Sequence, residues 1–244
     1  AAAFAMLPMT PVDITSDRGK LVAMVVQGDD HRTYTSPTGE TWTESTTVIT
    51  KGLLASDKAA DFGTTDHVDA GLFGNIGGEL VAAVWDEDDA TINFFSSTDG
   101  GGVWAAEIEI ASSNGPQGLA TYPGIDAEDK LYLATHEGIY EIDTAPSTWT
   151  YQLILPMTAN DHNGRRMTVH EGSLWFAQGV DNDSPAPIYK MTVQGNSRVI
   201  ESGFGLSYGD GVPDDMLGPV RWMKSSGDQL FISLGGGAAN RNAR

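Results

Sequence analysis

SSTDGGGVW, Ser96 to Trp104, lies between ATINFF (90–95) and AAEIEI (105–110), two runs that read as strands. A hairpin needs only two or three turn residues, so the chemistry of this one asks for a reason. An Asp at position 99 can accept hydrogen bonds from the backbone N–H groups of its own turn. Glycines at 100–102 open backbone conformations with positive φ. Trp104, at the far end, carries enough apolar surface to cover the turn and pack on a neighbour. The stretch reads as a built corner between two strands.

The strands around that corner belong to a repeat. GKLVAMVV starts at Gly19, GELVAAVW at Gly78, DKLYLATH at Asp129, GSLWFAQG at Gly172 and DQLFISLG at Asp228. The leading leucines, Leu21, Leu80, Leu131, Leu174 and Leu230, recur at intervals of 59, 51, 43 and 56 residues, and strand-rich periods of about 40 to 50 suggest propeller blades. Each run is nearly continuous in apolar residues, as a strand covered on both faces must be. A shorter strand precedes each: PVDIT (11–15), AGLFGN (70–75), GLATYP (118–123), RRMTVH (165–170) and GPVRWM (218–223). A third follows in four of the units, HRTYTS (31–36), TINFFS (91–96), GIYEID (138–143) and PIYKMT (187–192). The fourth strands are TESTTVI (43–49), AAEIEI, TYQLIL (150–155) and SRVIES (197–202). No long segment has apolar residues at helical spacing. The expected fold is therefore all-β. It is a β-propeller over residues 1–244 with about five visible blades, at 11–50, 70–112, 118–156, 165–202 and an incomplete 218–244. That fifth blade makes the chain look like a fragment of a larger ring.

Ser97, Asp99, Gly101 and Trp104 match the pattern Ser-x-Asp-x-Gly-x-x-Trp. The chain thus resembles the Asp-box, or BNR-repeat, propellers, whose best-known members are sialidases. A degenerate copy is read in the first unit, with Thr35 at the Ser position, Pro37 at the Asp position, and Gly39 and Trp42 retained. The resemblance implies a propeller in which the box is structural and lies away from the usual propeller site. It does not extend to sialidase chemistry. That mechanism needs three converging arginines, a Tyr–Glu pair and an acid/base carboxylate. Here the arginines are scattered, and the first blade has no Arg-Ile-Pro sequence.

Composition narrows the partners. The 244 residues include 33 acidic and 14 basic side chains, a net charge of −19, so nucleic-acid phosphates and anionic membrane surfaces are repelled. No apolar stretch approaches the roughly 20 residues of a membrane-spanning helix, and AAAFAMLPM at the start lacks the charged region of a signal peptide. The absence of cysteine removes disulfides, thiolate metal sites and cysteine nucleophiles.

Candidate binding residues are few. NDHNGRR (160–166) is the most concentrated basic spot, and His162, Arg165 and Arg166 form a possible ligand loop for an acidic group or sugar hydroxyls. DEDD (86–89), DNDS (181–184) and GDGVPDD (209–215) offer oxygen ligands for Ca²⁺ but lack the calcium-loop spacing, and read as solvated turns. No other cofactor is expected. The histidines lack metal-ligand spacing, and GGGAANR (235–241) lacks the Lys-Ser/Thr ending of a phosphate loop. Trp85, Trp175 and Trp222 are candidate sugar platforms, with inter-blade packing as the competing role.

The expected function is a non-enzymatic propeller module for structural assembly or for receptor or glycan recognition, in a bacteriophage virion (tail) or another extracellular assembly. Its partners would be proteins, or more of the same polypeptide completing the propeller, and a cell-surface glycan. The alternatives are a secreted Asp-box glycoside hydrolase, which requires a cleft with two close carboxylates, and a propeller-type assembly factor.

Overall fold

The computed structural model describes residues 11–27, 30–45, 71–86, 89–113, 115–145, 147–157, 167–177, 187–204 and 220–234. The fold is all-β, a β-propeller made of antiparallel meanders, with no helix among the described residues. The chain divides into two compact units, Ala1–Pro116 with Ser147–Trp149, and Gln117–Pro146 with Thr150–Arg244.

The first unit holds two four-stranded sheets. One runs β1 (Pro11–Asp17), β2 (Lys20–Gln27), β3 (Asp30–Ser36) and β4 (Thr43–Glu44) in sequence order, the other β5 (Gly71–Ile76), β6 (Glu79–Asp86), β7 (Thr91–Ser97) and β8 (Ala105–Ala111). The expected fourth strand at 43–49 is described only at its start, since residues 46–50 lie outside the described residues. The second unit holds β9 (Gly118–Pro123), β10 (Asp129–Ala134), β11 (Gly138–Asp143) and β12 (Thr150–Pro156) in one sheet. A second sheet is formed by β13 (Met167–His170), β14 (Ser173–Ala177), β15 (Ile188–Gln194) and β16 (Ser197–Ser202). β17 (Val220–Ser226) and β18 (Gln229–Leu234) form a two-stranded sheet.

The Leu-led strands are the second strands of their sheets, and four of them are buried as their composition demands. Val22, Ala23, Met24 and Val25 of β2, Val81, Ala82 and Ala83 of β6, and Leu131, Tyr132 and Leu133 of β10 have no exposed surface. In the first unit Val22 and Met24 pack with Phe73, Leu80, Ala82, Val84, Phe95 and Trp104 of the next sheet. In the second unit Tyr132, Ala134 and Ile139 pack on Met167, Leu174, Phe176 and Met191. Each fully buried large side chain contributes about 1.5–3 kcal/mol, so face-on-face burial is the main stabilising term in both units. The fifth Leu-led strand differs. Among the described residues β18 pairs with β17 alone, and Phe231 and Ile232 stay 46% and 36% exposed.

Polar contacts register the two sheets of the first unit. Asp13 accepts from the N–H of Ile14 at 2.8 Å and from that of Phe73, in β5, at 2.7 Å. Arg18 donates to the Gly78 carbonyl at 2.9 Å, and Asn75 to Asp17 at 3.3 Å.

Candidate functional site

The β7–β8 hairpin is held by its own side chains. Ser97 Oγ donates to Asp99 Oδ1 at 2.8 Å and accepts the Gly101 N–H at 2.9 Å. The same Oδ1 accepts from the N–H groups of Gly102 at 2.8 Å and Val103 at 3.0 Å. Partial desolvation alone would raise the Asp99 carboxyl, but the Val103 N–H, the Ser97 hydroxyl and the Gly102 N–H hold it below its ordinary value. Gly101 sits at φ +88°, and a Cβ there would stand 3.0 Å from Val22 Cγ1, so both conformation and space call for glycine. Trp104 is buried, lies parallel to Phe73 with ring centroids 6.1 Å apart, and donates from Nε1 to Thr33 Oγ1 at 3.0 Å. The Ser45 hydroxyl donates to the Gly101 carbonyl. These four residues join two sheets of one unit and present no open chemical group toward solvent apart from the committed carboxylate.

The corresponding turn in the first sheet uses a different residue from the one its spacing suggests. Leu21 pairs with Ser36 as Leu80 pairs with Ser97, which makes Ser36, not Thr35, the counterpart of Ser97. Ser36 Oγ accepts from the Gly39 N–H at 2.8 Å, whereas Thr35 lies within β3 opposite Thr43. The turn is one residue shorter, so counting back from Trp42 lands one position early. Gly39 has φ +82°, and Trp42 donates to its carbonyl at 3.1 Å.

The second unit carries an open cleft of about 370 Å³ lined by Ile125, Asp126, Lys130, Glu141, Asp143, Thr150, Tyr151 and Gln152. It lies on the face of the β10–β11–β12 ladder where Tyr132 pairs with Glu141 and Glu141 with Gln152, while Asp143 pairs with Thr150. The turn after β9 closes through the Gly124 N–H and the Glu128 carbonyl, 2.7 Å apart, and brings Asp126 and Glu128 over β10. Lys130 is buried beneath them, with its ammonium 2.8 Å from Asp126, 3.0 Å from Asp143 and 3.3 Å from Glu128. Desolvation opposes its charge, yet the three carboxylates raise its pKa well above the usual lysine value. Asp126 is correspondingly lowered, chiefly by its hydrogen bond from Lys130. On the rim Tyr151 is 46% exposed, with Tyr140 meeting it edge-on at 6.0 Å.

Glu141, at the floor, is buried and fully engaged. Its Oε2 accepts from Tyr132 OH at 2.5 Å and from Arg198 Nε at 3.1 Å, with a further bond from Arg198 Nη2, and its Oε1 accepts from Gln152 at 2.9 Å. Arg198 reaches it from β16, in the next sheet of the unit. Burial, reinforced by the neighbouring Glu141 carboxylate, raises the Tyr132 hydroxyl pKa above the ordinary tyrosine range. The network is a charged bridge between sheets that also forms the floor of the cleft.

Other sequence candidates fall elsewhere. His162, Arg165 and Arg166 lie outside the described residues, as do DNDS, GDGVPDD, GGGAANR and His67. Of DEDD, Asp86 is buried and accepts the Asp89 N–H at 3.2 Å. His170 is buried with Nδ1 3.0 Å from Ser225 Oγ. Trp175 is hemmed in by Phe204 at 5.0 Å and lies under the Lys190 ammonium at 5.9 Å. Among the described residues no three His, Asp or Glu side chains converge on a metal position.

No protein-family profile matches the chain, and no curated protein matches it. Solved structures do. A candidate 6-phosphogluconolactonase from Bacteroides uniformis superposes with a TM-score of 0.57 at 13% identity, over 92% of this chain and 63% of that one. An exo-β-1,3-galactanase from Phanerochaete chrysosporium gives 0.48 at 9% identity, over 90% and 54%. An α-L-arabinofuranosidase from Clostridium thermocellum gives 0.42 at 9% identity, over 91% and 80%. The chain spans less than two thirds of the length of the first two. At these identities the likeness to the first is one of fold.

Proposed function

We propose that this chain is a non-catalytic recognition module that holds a glycan in the Lys130 cleft, on an Asp-box propeller scaffold. One observation carries the reading: each carboxylate lining the cleft, Asp126, Asp143 and Glu141, is committed to Lys130 or Arg198, beside a half-exposed tyrosine ring. Glycoside hydrolysis requires two carboxyl groups free to act on either side of the glycosidic bond, and here each of the three is held by a cation. A sugar ring, by contrast, needs an apolar face and fixed polar groups, which Tyr151, Thr150, Gln152 and the outer faces of Asp126 and Asp143 supply. The cleft volume lies within the range of small-ligand sites. The net charge of −19 favours a neutral or cationic saccharide over sialylated or sulfated ones. The setting that suits such a module is an extracellular assembly, a bacteriophage virion among them.

The test is a glycan array followed by calorimetry on the 244-residue chain, with product analysis on the same panel. We expect binding to neutral oligosaccharides, a loss of about tenfold or more in affinity in Tyr151→Ala with an unchanged melting temperature, and no hydrolysis. Absence of binding, or binding indifferent to Tyr151, overturns the site. Turnover that disappears in Asp143→Asn replaces the module with an enzyme.

A further inference from the structure

Gln152 stands opposite Glu141 in the β11–β12 register, and Glu141 opposite Tyr132 in the β10–β11 register, so the three side chains share one face of the sheet. Gln152 Nε2 donates to Glu141 Oε1 at 2.9 Å. Glu141 is buried, and its other oxygen is taken by Tyr132 OH and by Arg198. Paired with Arg198, Glu141 is held as a carboxylate, a group with acceptors and no donor. That decides which way round the Gln152 amide sits. Turned over, it would set its carbonyl oxygen against a carboxylate oxygen, two acceptors with no proton between them. The amide nitrogen therefore faces Glu141, and the carbonyl oxygen is turned away from it. Gln152 is exposed and lines the cleft beside Tyr151.

The charged groups of the cleft are occupied with one another. Lys130 has a side chain only 4% exposed, and its ammonium, with three N–H donors, is matched by Asp126, Glu128 and Asp143. Asp126 holds Lys130 with Oδ2 and the Glu128 N–H with Oδ1. Asp143 holds Lys130 with Oδ2 and the Ala145 N–H with Oδ1. The hydroxyls of Thr150 and Tyr151 rotate to suit either role. The Gln152 amide differs from all of these: it is anchored at its nitrogen and open at its oxygen. Its orientation is set before a ligand arrives, so less ordering remains for binding to impose. Resting on the glycan reading of the cleft, we infer that Gln152 is its specificity-determining residue, a fixed acceptor that takes a free hydroxyl of the saccharide seated on Tyr151. The ligand class this names is a saccharide left unsubstituted at that hydroxyl. An ether, an ester or a fluorine there sets acceptor against acceptor and is selected against.

The experiment is calorimetric titration of the full chain with laminaritriose, cellotriose and xylotriose, each beside analogues in which fluorine replaces one hydroxyl and so removes one donor. Thermal melts accompany each variant. We expect the parent to bind one fluorinated analogue about fivefold more weakly than the unmodified sugar, the worth of one exposed hydrogen bond. Gln152→Met should weaken the unmodified sugar by a similar factor and lose the discrimination. Gln152→Lys keeps a donor for Glu141 and gives the ligand donors only, so it should melt near the parent and still fail to discriminate. A Gln152 that served only to hold Glu141 would be restored by that lysine, which also carries the test if Gln152→Met does not fold. Binding that requires Tyr151 but discriminates equally in the parent and in Gln152→Lys overturns the role of Gln152 and leaves the glycan reading standing. Absence of saturable binding to every sugar overturns both.

Discussion

The indole N–H of Trp104 donates to the hydroxyl of Thr33, 71 positions earlier in the chain. The bond ties the turn of one sheet to the third strand of the sheet before it, and it divides the role of Trp104 into two separable parts. Trp104→Phe keeps the stack on Phe73 and removes the bond, at a cost of about 1–2 kcal/mol. Trp104→Ala removes both, at about 3–5 kcal/mol. Urea unfolding followed by circular dichroism measures the difference. Equal losses would show that the hydrogen bond, not the ring, dominates.

Asp99→Ala removes an acceptor from two turn N–H groups and from Ser97, and should cost on the order of 1 kcal/mol or more. The folded-state pKa of Asp99 is depressed. Its contribution is therefore present above the unfolded value of about 3.9 and is lost as pH falls through the folded one. Melting temperatures of parent and variant should converge as pH drops below about 4. Asp99→Asn keeps an acceptor oxygen and should recover part of the loss while removing that pH dependence.

The second unit should be sensitive at the alkaline end. Lys130 and Tyr132 both have raised pKa values in the fold. Their contributions are complete below the unfolded values of about 10 and fade as pH climbs from there through the folded ones. Denaturant midpoints from pH 8 to 11.5 should fall for the parent and fall less steeply for Lys130→Met and Tyr132→Phe, both already weaker at pH 8. A parallel decline in all three would falsify the assignment.

The Glu141–Arg198 bridge should show strong coupling. Arg198→Met strands a buried carboxylate and should cost about 3–5 kcal/mol. Glu141→Leu combined with Arg198→Met should cost much less than the sum of the single changes. A double-mutant cycle in urea reads the coupling directly, and additive losses would mean that the bridge is loose in solution.

The meander pattern was legible because the four four-stranded sheets repeat a local signal: a polar turn, a leading Leu and a buried apolar run. The starts of GLATYP, GIYEID, TYQLIL and SRVIES coincide with those of β9, β11, β12 and β16. Spacing misled at the first turn, where a one-residue contraction moved the hydroxyl from Thr35 to Ser36, a shift visible only through strand register. The cleft was not read from sequence. Asp126, Glu128 and Lys130 are neighbours, but Asp143 reaches the same ammonium from the next strand, and Arg198 meets Glu141 57 positions away. Tyr132, Glu141 and Gln152 share one ladder face once the register is known, and before that they are three unrelated polar residues in apolar strands.

The bond from the Phe73 N–H to Asp13 has a consequence for amide exchange in heavy water. β5 is an end strand of its sheet, and the proton on this amide is held by a carboxylate of the neighbouring sheet instead of by a strand. It can be released when the two sheets part by a small distance while both remain folded. The Phe73 amide is thus a built-in clock for sliding between sheets, separate from the amides inside β6, whose exchange requires a sheet to come apart. Replacing Asp13 with Ala would set that clock running fast while leaving the others at their own pace.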